Sequence, residues 1–290
     1  RSEEHTSELQ SDVCSSDLPV MTHGLHYASC VYEGERAYAG EVFKLREHTQ
    51  RLLRSAELMD MRIPFSIGEI EAATREVIQV NGIGDGYVRP VAWRGSETIS
   101  TAAPNNSVHL AICAWEWPAY YDKDAIDRGV RLTVSRWRRP DPRSAPIEAK
   151  ASGHYMILTL SKHEAMRAGF DDALLLDLSG SIAEASSANI FFRRGAQLHT
   201  PRTGNILNGI TRQTVIGLAR AQGMEVRERD ITPDELGDFE EAFITGTACE
   251  LMAVCGIDDA VFASREAITS LKPAFHALCY GHQGKEQAVA

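Results

Sequence analysis

The chain has 290 residues, 43% hydrophobic and 24% charged, with a formal charge of −10. That describes a globular protein long enough for one large or two ordinary domains, and without a basic stripe it gives no reason to expect a nucleic-acid partner. No apolar run approaches membrane-spanning length and no signal peptide is visible, so no membrane partner is expected either.

Residues 1–18 can be back-translated into a DNA string whose second half is the reverse complement of its opening, and that string looks like the adapter of short-read DNA sequencing. They are read as translated adapter fused to a gene whose natural start is missing, and are set aside from fold reasoning. They hold Cys14 and −4 of the charge. Apolar residues at helical spacing predict helices over Arg46 to Met61 (Leu52, Leu53, Ala56, Leu58) and Ile67 to Asn81 (Ile67, Ile70, Ala73, Val77). Tyr87 to Trp93 and Val108 to Trp115 read as strands joined by a polar loop, Gly95 to Ser107. Tyr120 to Arg128 is charged and turn-like. A new start follows: a strand at Val130 to Ser135, a Pro-rich loop at Arg139 to Pro146, then Lys150. Tyr155 to Ala168 reads as a helix ending at Gly169, Ala173 to Asp177 as a buried strand, and Ile182 to Phe192 as a further strand. Thr211 to Ala221 is a helix stopped by Gly223, Glu241 to Thr245 a strand, and Arg265 to Tyr280 a closing helix. Strands and helices interleave in two blocks, which predicts a small α/β domain over 19–120, a linker at 121–128 and a large α/β domain over 129–290 carrying Lys150.

Two groups stand out chemically. Lys150, one of six lysines, lies between two alanines in Ile-Glu-Ala-Lys150-Ala-Ser-Gly, in small, nearly uncharged company. Glu184 opens an apolar strand in Glu184-Ala-Ser-Ser-Ala-Asn189. An amine nucleophile and a carboxylate so placed are what a pyridoxal phosphate enzyme needs. One forms the Schiff base, and the other keeps the pyridinium nitrogen protonated so that the ring acts as an electron sink. The cysteines outside the first segment (Cys30, Cys113, Cys249, Cys255, Cys279) are scattered without a C-x-x-C, as in reduced thiols of a cytoplasmic enzyme. No His and Cys cluster has ligand spacing, so no metal is expected.

Further segments align with this pair: His26-Tyr27 through Tyr32-Glu33-Gly34-Glu-Arg36, Arg46-Glu-His48-Thr-Gln-Arg51, Tyr87-Val-Arg89-Pro90, Gly209-Ile-Thr211-Arg212 and Thr245-Gly-Thr247-Ala248-Cys-Glu250. In this order they resemble the fold type IV pyridoxal phosphate enzymes, and Tyr-x-Arg-Pro with the Tyr27 to Arg36 segment is similar specifically to the branched-chain amino acid aminotransferases. The resemblance covers essentially all of residues 19 to 260. It implies a two-domain α/β (α+β) transaminase fold. It also implies ping-pong transfer of an amino group from leucine, isoleucine or valine to 2-oxoglutarate, with pyridoxal 5′-phosphate as cofactor.

By the same resemblance, Lys150 carries the cofactor and shuttles the proton, Glu184 pairs with the ring nitrogen, and Tyr155 bonds the 3′ oxygen. Asn189, which closes the Glu184 motif, falls among the cofactor-binding residues. The phosphate falls to Gly209, Ile210 and Thr211 at a helix start, to Thr247 and to Arg51. Tyr87 and the amides of Thr247 and Ala248 hold the α-carboxylate. Tyr32, Tyr155 and Trp117 wall an apolar pocket, Arg89 meets the γ-carboxylate of glutamate, and Tyr27 reaches in from a second subunit, which implies a homodimer at least. The chain departs from the family at the 96–104 loop, which lacks the usual glycines, at Ser186-Ser187, and at Tyr32, where Phe is commoner. Sibling activities therefore stay open: a D-amino-acid aminotransferase, an amine transaminase or aminodeoxychorismate lyase. A cofactor-binding regulator without turnover is disfavoured by retention of the lysine, the glutamate and the phosphate-binding groups.

Overall fold

The structure is a computed structural model that describes residues 18–117 and 119–281. All but Leu18 of the segment set aside at the N-terminus therefore lies outside the described residues. The chain divides into two compact units, one of residues 1–116 with 150–153, the other of 117–149 with 154–290. This boundary falls a few residues before the expected 120. Lys150 clusters with the first unit rather than with the large domain, and the cause is visible in the backbone. Tyr32 N donates to Lys150 O at 3.1 Å, and Val31 bridges Ala151 as antiparallel partners. The expected linker is in part a helix of the second unit, since Asp122 accepts from Ala125 N and caps Lys123–Arg128.

The first unit contains α1 (His23–Tyr27), β1 (Cys30–Tyr32), β2 (Glu35–Tyr38), β3 (Glu41–Val42), α2 (Leu45–Leu58), α3 (Ile67–Val80), β4 (Gly86–Arg94) and β5 (Val108–Glu116). Its five-stranded antiparallel sheet runs β1-β4-β2-β3, with β5 also on β4. The two long helices form where helical periodicity places them. A Ser66–Glu69 capping box starts α3, and its buried face places Ile78 in a core with Ala37, Ile83, Val88 and Ala114. The buried stripe of α2 is Leu45, His48, Thr49, Leu52, Ser55 and Ala56. It is half polar, because that face meets charged and backbone groups described below. The 95–107 loop is pinned by buried Asn106, whose amide donates to the carbonyls of Gly95 and Thr98, both at 3.0 Å.

The second unit contains α4 (Lys123–Arg128), β6 (Val130–Arg138), α5 (Tyr155–Arg167), β7 (Asp172–Leu176), β8 (Ile182–Ala185), β9 (Asn189–Arg194), β10 (Gln197–Pro201), α6 (Ile210–Ala221), β11 (Glu225–Arg229), β12 (Glu241–Gly246), β13 (Glu250–Ile257), β14 (Ala260–Val261) and α7 (Glu266–Tyr280). Its nine-stranded mixed sheet runs β11-β10-β9-β12-β13-β6-β7-β8, with β14 on β13. The single strand expected over Ile182 to Phe192 is two strands: Ala185 N donates to Ala188 O, and that turn sends β8 to β7 and β9 to β12. Val130, Leu132, Leu174, Ile190, Phe192 and Ile244 form the core on which these strands lie.

Glu241, 1% exposed, fixes the sheet to α7. Its two oxygens accept from Ala267 N and Ile268 N, both at 2.9 Å, and so cap a helix whose own N-cap residue, Arg265, makes no side-chain cap. Glu241→Ala is expected to lower unfolding stability by about 1–3 kcal/mol, because two buried N–H groups lose their acceptor. Urea denaturation measures it, and an unchanged midpoint would contradict the capping role.

Candidate active site

In the first unit, α2 brings two sequence motifs together. His48, Arg51 and Ser55 are three or four residues apart and therefore share a helix face. Arg51 donates to Glu33 through Nε at 2.6 Å and Nη2 at 2.7 Å, a two-bond fork. His48 Nδ1 lies 2.8 Å from the same carboxylate. One turn on, Ser55 Oγ accepts from Lys150 N at 3.0 Å. The helix thus sets both the arginine and the backbone of the lysine.

Glu33 is fully buried. Burial pushes its carboxyl up, but the Arg51 charge, its fork and the His48 bond outweigh this and hold the carboxyl far below the usual carboxylate range. An ionised carboxylate only accepts, so His48 Nδ1 is the donor. Burial also pushes the His48 imidazole down despite Glu33, which leaves it neutral at pH 7. Glu35 is raised well above the carboxylate range by burial and then by the Glu33 charge. Within the cluster the Arg51 fork balances the Glu33 carboxylate.

Lys150 Nζ lies 5.2 Å from the centre of the Tyr32 ring, and Arg89 Cζ lies 4.4 Å from that centre. Arg89 also donates to Tyr87 Oη at 3.1 Å and faces the Tyr87 ring at 5.2 Å. Arg36 on β2 pairs in register with Tyr87, and Trp115 on β5 does so from the other side. Of the expected substrate groups, Tyr32, Tyr87 and Arg89 are thus brought together around Lys150. Tyr27 ends α1, 42% exposed.

In the second unit, Glu184 stands on β8, 6% exposed. Its Oε1 is 3.0 Å from Arg139 Nε, and its Oε2 accepts from Asn189 Nδ2 at 3.2 Å and Leu207 N at 3.3 Å. Arg139 is buried and was not singled out in the sequence, where it appears only as the first residue of a Pro-rich loop. No spacing signal joins it to a carboxylate so distant in the chain. Removing either member of such a buried pair costs about 3–5 kcal/mol.

Gly209 is the N-cap of α6 and makes no side-chain cap. A Cβ there would stand 2.2 Å from Asn189 Oδ1, so only glycine brings this helix end against the residue that holds Glu184. Thr211 in the first turn is buried. Arg212 is 1% exposed and locks the turn to the strand region by donating to Pro201 O at 2.9 Å and Glu228 at 2.8 Å. Thr247 and Ala248 lie in the turn between β12 and β13. Gly246 opens that turn, and a Cβ there would be 3.3 Å from Ser187 O, so the turn packs on the residues that follow Glu184. Tyr155 opens α5, half-buried. Trp117 falls in this unit, 6.0 Å from the Tyr120 ring. Tyr121 instead leans on the core and donates to Asp172 at 3.4 Å. Beside them Cys249 is pushed up to about 12 by burial and the Asp172 charge.

A family model described as amino-transferase class IV matches residues 30–257. The chain is 44% identical over 242 residues to the probable branched-chain-amino-acid aminotransferase of Rickettsia felis, over 83% of this chain and 82% of that one. It is 39% identical over 243 residues to the branched-chain-amino-acid aminotransferase of Pseudomonas aeruginosa, over 82% and 79%. The solved structure of the branched-chain amino acid aminotransferase of Escherichia coli matches with a TM-score of 0.88 at 34% identity, over 92% of this chain and 90% of that one. The chain belongs to the class IV aminotransferases, a family that depends on pyridoxal 5′-phosphate.

The donor set suits a phosphorylated pyridine ring. It offers a buried carboxylate with an arginine behind it, and a helix N-terminus without a side-chain cap, linked to that carboxylate through Asn189. Elsewhere the packing is equally specific. At buried Gly34 a Cβ would lie 2.0 Å from Tyr87 Oη and 2.9 Å from its Cζ. Gly34→Ala is expected to swing the Tyr87 ring away from Arg89 and cost about 1–3 kcal/mol of stability from overpacking. Denaturant melts and kcat/KM check this, and a variant matching the parent in both would contradict it.

Proposed function

We propose that this chain transfers the amino group of L-leucine, L-isoleucine or L-valine to 2-oxoglutarate in two alternating half-reactions, with pyridoxal 5′-phosphate as cofactor. The observation that carries the substrate reading is Arg89, held against Tyr32 and Tyr87 beside Lys150. A site serving both partners must receive an apolar side chain in one half-reaction and a γ-carboxylate in the other. A bare buried arginine would be costly in the first. Here the guanidinium rests on two aromatic faces and bonds a phenol oxygen while the pocket holds hydrocarbon. When a γ-carboxylate arrives, the same cation meets it.

When bound, the cofactor's ring supplies the electron sink that makes the amino acid's Cα acidic. Lys150 Nζ would take the proton from Cα and deliver it to C4′ of the cofactor, on the other side of the transferred nitrogen. Glu184, paired with Arg139, holds the proton on the ring nitrogen. Tyr155 orients the ring through the 3′ oxygen. Arg51, the first-turn amides of α6, Thr211 and Thr247 hold the phosphate. Tyr87 and the amides of Thr247 and Ala248 take the α-carboxylate, and Tyr32, Tyr155 and Trp117 exclude water from the side chain. Tyr27, exposed in a single copy, closes the pocket of a second copy in a homodimer. The described cysteines form no disulfide, in keeping with work in the cytoplasm.

Cofactor-loaded protein supplied with 2-oxoglutarate is expected to form glutamate from L-leucine, and not from D-alanine or (R)-1-phenylethylamine. Turnover with either of the latter alone would move the activity to a sibling reaction. Arg89→Leu is expected to raise KM for 2-oxoglutarate about tenfold or more, the loss of a charge-assisted bond, with far less effect on L-leucine. An equal rise for both would remove Arg89 from γ-carboxylate recognition.

A further inference from the structure

Glu184 is held by a loop that has no part of its own in the reaction above. Residues 202–208 join β10 to α6, and Leu207 in that loop holds one oxygen of Glu184 twice. Its N–H donates to Oε2 at 3.3 Å. Its carbonyl accepts at 2.9 Å from Asn189 Nδ2, which itself donates to Oε2 at 3.2 Å. Two residues earlier, Asn205 Nδ2 donates to Asp177 Oδ2 at 2.7 Å. Asp177 is buried, and its other oxygen accepts from Ser179 N at 2.9 Å, Ser179 Oγ at 2.6 Å and Ser181 N at 3.0 Å. Those bonds close the turn between β7 and β8, the strand that carries Glu184, and Leu175 on β7 pairs in register with Glu184. The two oxygens of Asp177 thus have separate tasks. Oδ1 closes the hairpin, and Oδ2 ties the hairpin to the loop.

We infer that Asn205 is a positioning residue for Glu184: its bond to Asp177 holds the loop where Leu207 fixes Oε2. The inference rests on the reading of Glu184 as the partner of the cofactor's ring nitrogen. Two effects compete. The Leu207 N–H and the Asn189 amide draw charge from the carboxylate, so their release would make Glu184 a stronger acceptor. Against this, a hydrogen bond weakens steeply as its angle falls, and a carboxylate released at Oε2 is drawn toward Arg139, 3.0 Å from Oε1. Orientation prevails, because Arg139 competes with a full charge while each donor lost is a single neutral group.

The test compares binding of pyridoxal 5′-phosphate with binding of its 1-deaza analogue, in which the ring nitrogen is a C–H, to the full chain stripped of cofactor. Both ligands carry the phosphate and the aldehyde, so the preference between them reads the ring nitrogen alone. Asn205→Ala leaves the bonds on Asp177 Oδ1 in place and is expected to cut that preference about tenfold, the loss of one charge-assisted bond. Joining Asp177→Asn to Asn205→Asp reverses donor and acceptor, rebuilds the tie and is expected to restore the parental preference. Ser179→Ala removes a turn bond without touching the tie and is expected to keep it. The inference is overturned if Asn205→Ala weakens both ligands alike or neither, since the tie would then be a folding contact only. It is overturned equally if Ser179→Ala cuts the preference as deeply, or if the exchanged pair folds and stays at the Asn205→Ala value. Glu184→Gln separates the underlying reading: a parental preference there would mean that Glu184 does not meet the ring nitrogen, and the inference would fall with it.

Discussion

A carboxylate removed from water has to be given a cation, and both units of this chain are organised around that requirement. In the first, Glu33 binds the fork of Arg51 and the ring of His48. In the second, Glu184 has Arg139 on one oxygen, with Asn189 and Leu207 on the other. Each arrangement explains features of the surrounding chain. His48 and Ser55 are polar on the buried stripe of α2 because that stripe must reach Glu33 and the Lys150 backbone. Gly209 is glycine because α6 must end against Asn189. The charges are expensive to bury and more expensive to leave unpaired, so the geometry they impose is rigid, as cofactor binding demands.

Much of this was legible in the sequence. Lys150 and Glu184 stood out by residue type and surroundings, the long helices by their period, and the family by a set of short motifs in a set order. The legible part is local: a helix stripe, a glycine that stops a helix, a glycine before one. What escaped is set by pairing across the chain. Arg139 reads as a loop arginine because its partner lies far along the sequence. The β8–β9 break at Ser186 to Ala188 is hidden because the residues on both sides are apolar, and only their different strand partners separate them. The sequence reading places Lys150 within the large domain, yet one backbone bond to Tyr32 and one bridge at Ala151 tie it to the first unit.

The same contrast separates fold from specificity. The transaminase class follows from the match over residues 30–257 and from relatives that align over most of their length. The choice of substrate rests on fewer atoms. In the proposed reaction Arg89, stacked on Tyr32 and bonded to Tyr87, is neutral in effect toward a hydrocarbon and decisive toward a carboxylate. Gly34 keeps that arrangement by leaving room for the Tyr87 hydroxyl. The departures at Tyr32 and in the 96–104 loop surround this pocket's sequence motifs rather than the Glu184–Arg139 pair.

The central claim is that Glu184, paired with Arg139, keeps a proton on the ring nitrogen of the cofactor. The most direct measurement is the nitrogen NMR shift of the full chain loaded with pyridoxal phosphate labelled with ¹⁵N at that position. The account predicts the shift of a protonated ring nitrogen in the parent protein and its loss in Glu184→Gln. An unprotonated nitrogen in the parent, or a protonated one that persists without the carboxylate, would contradict it.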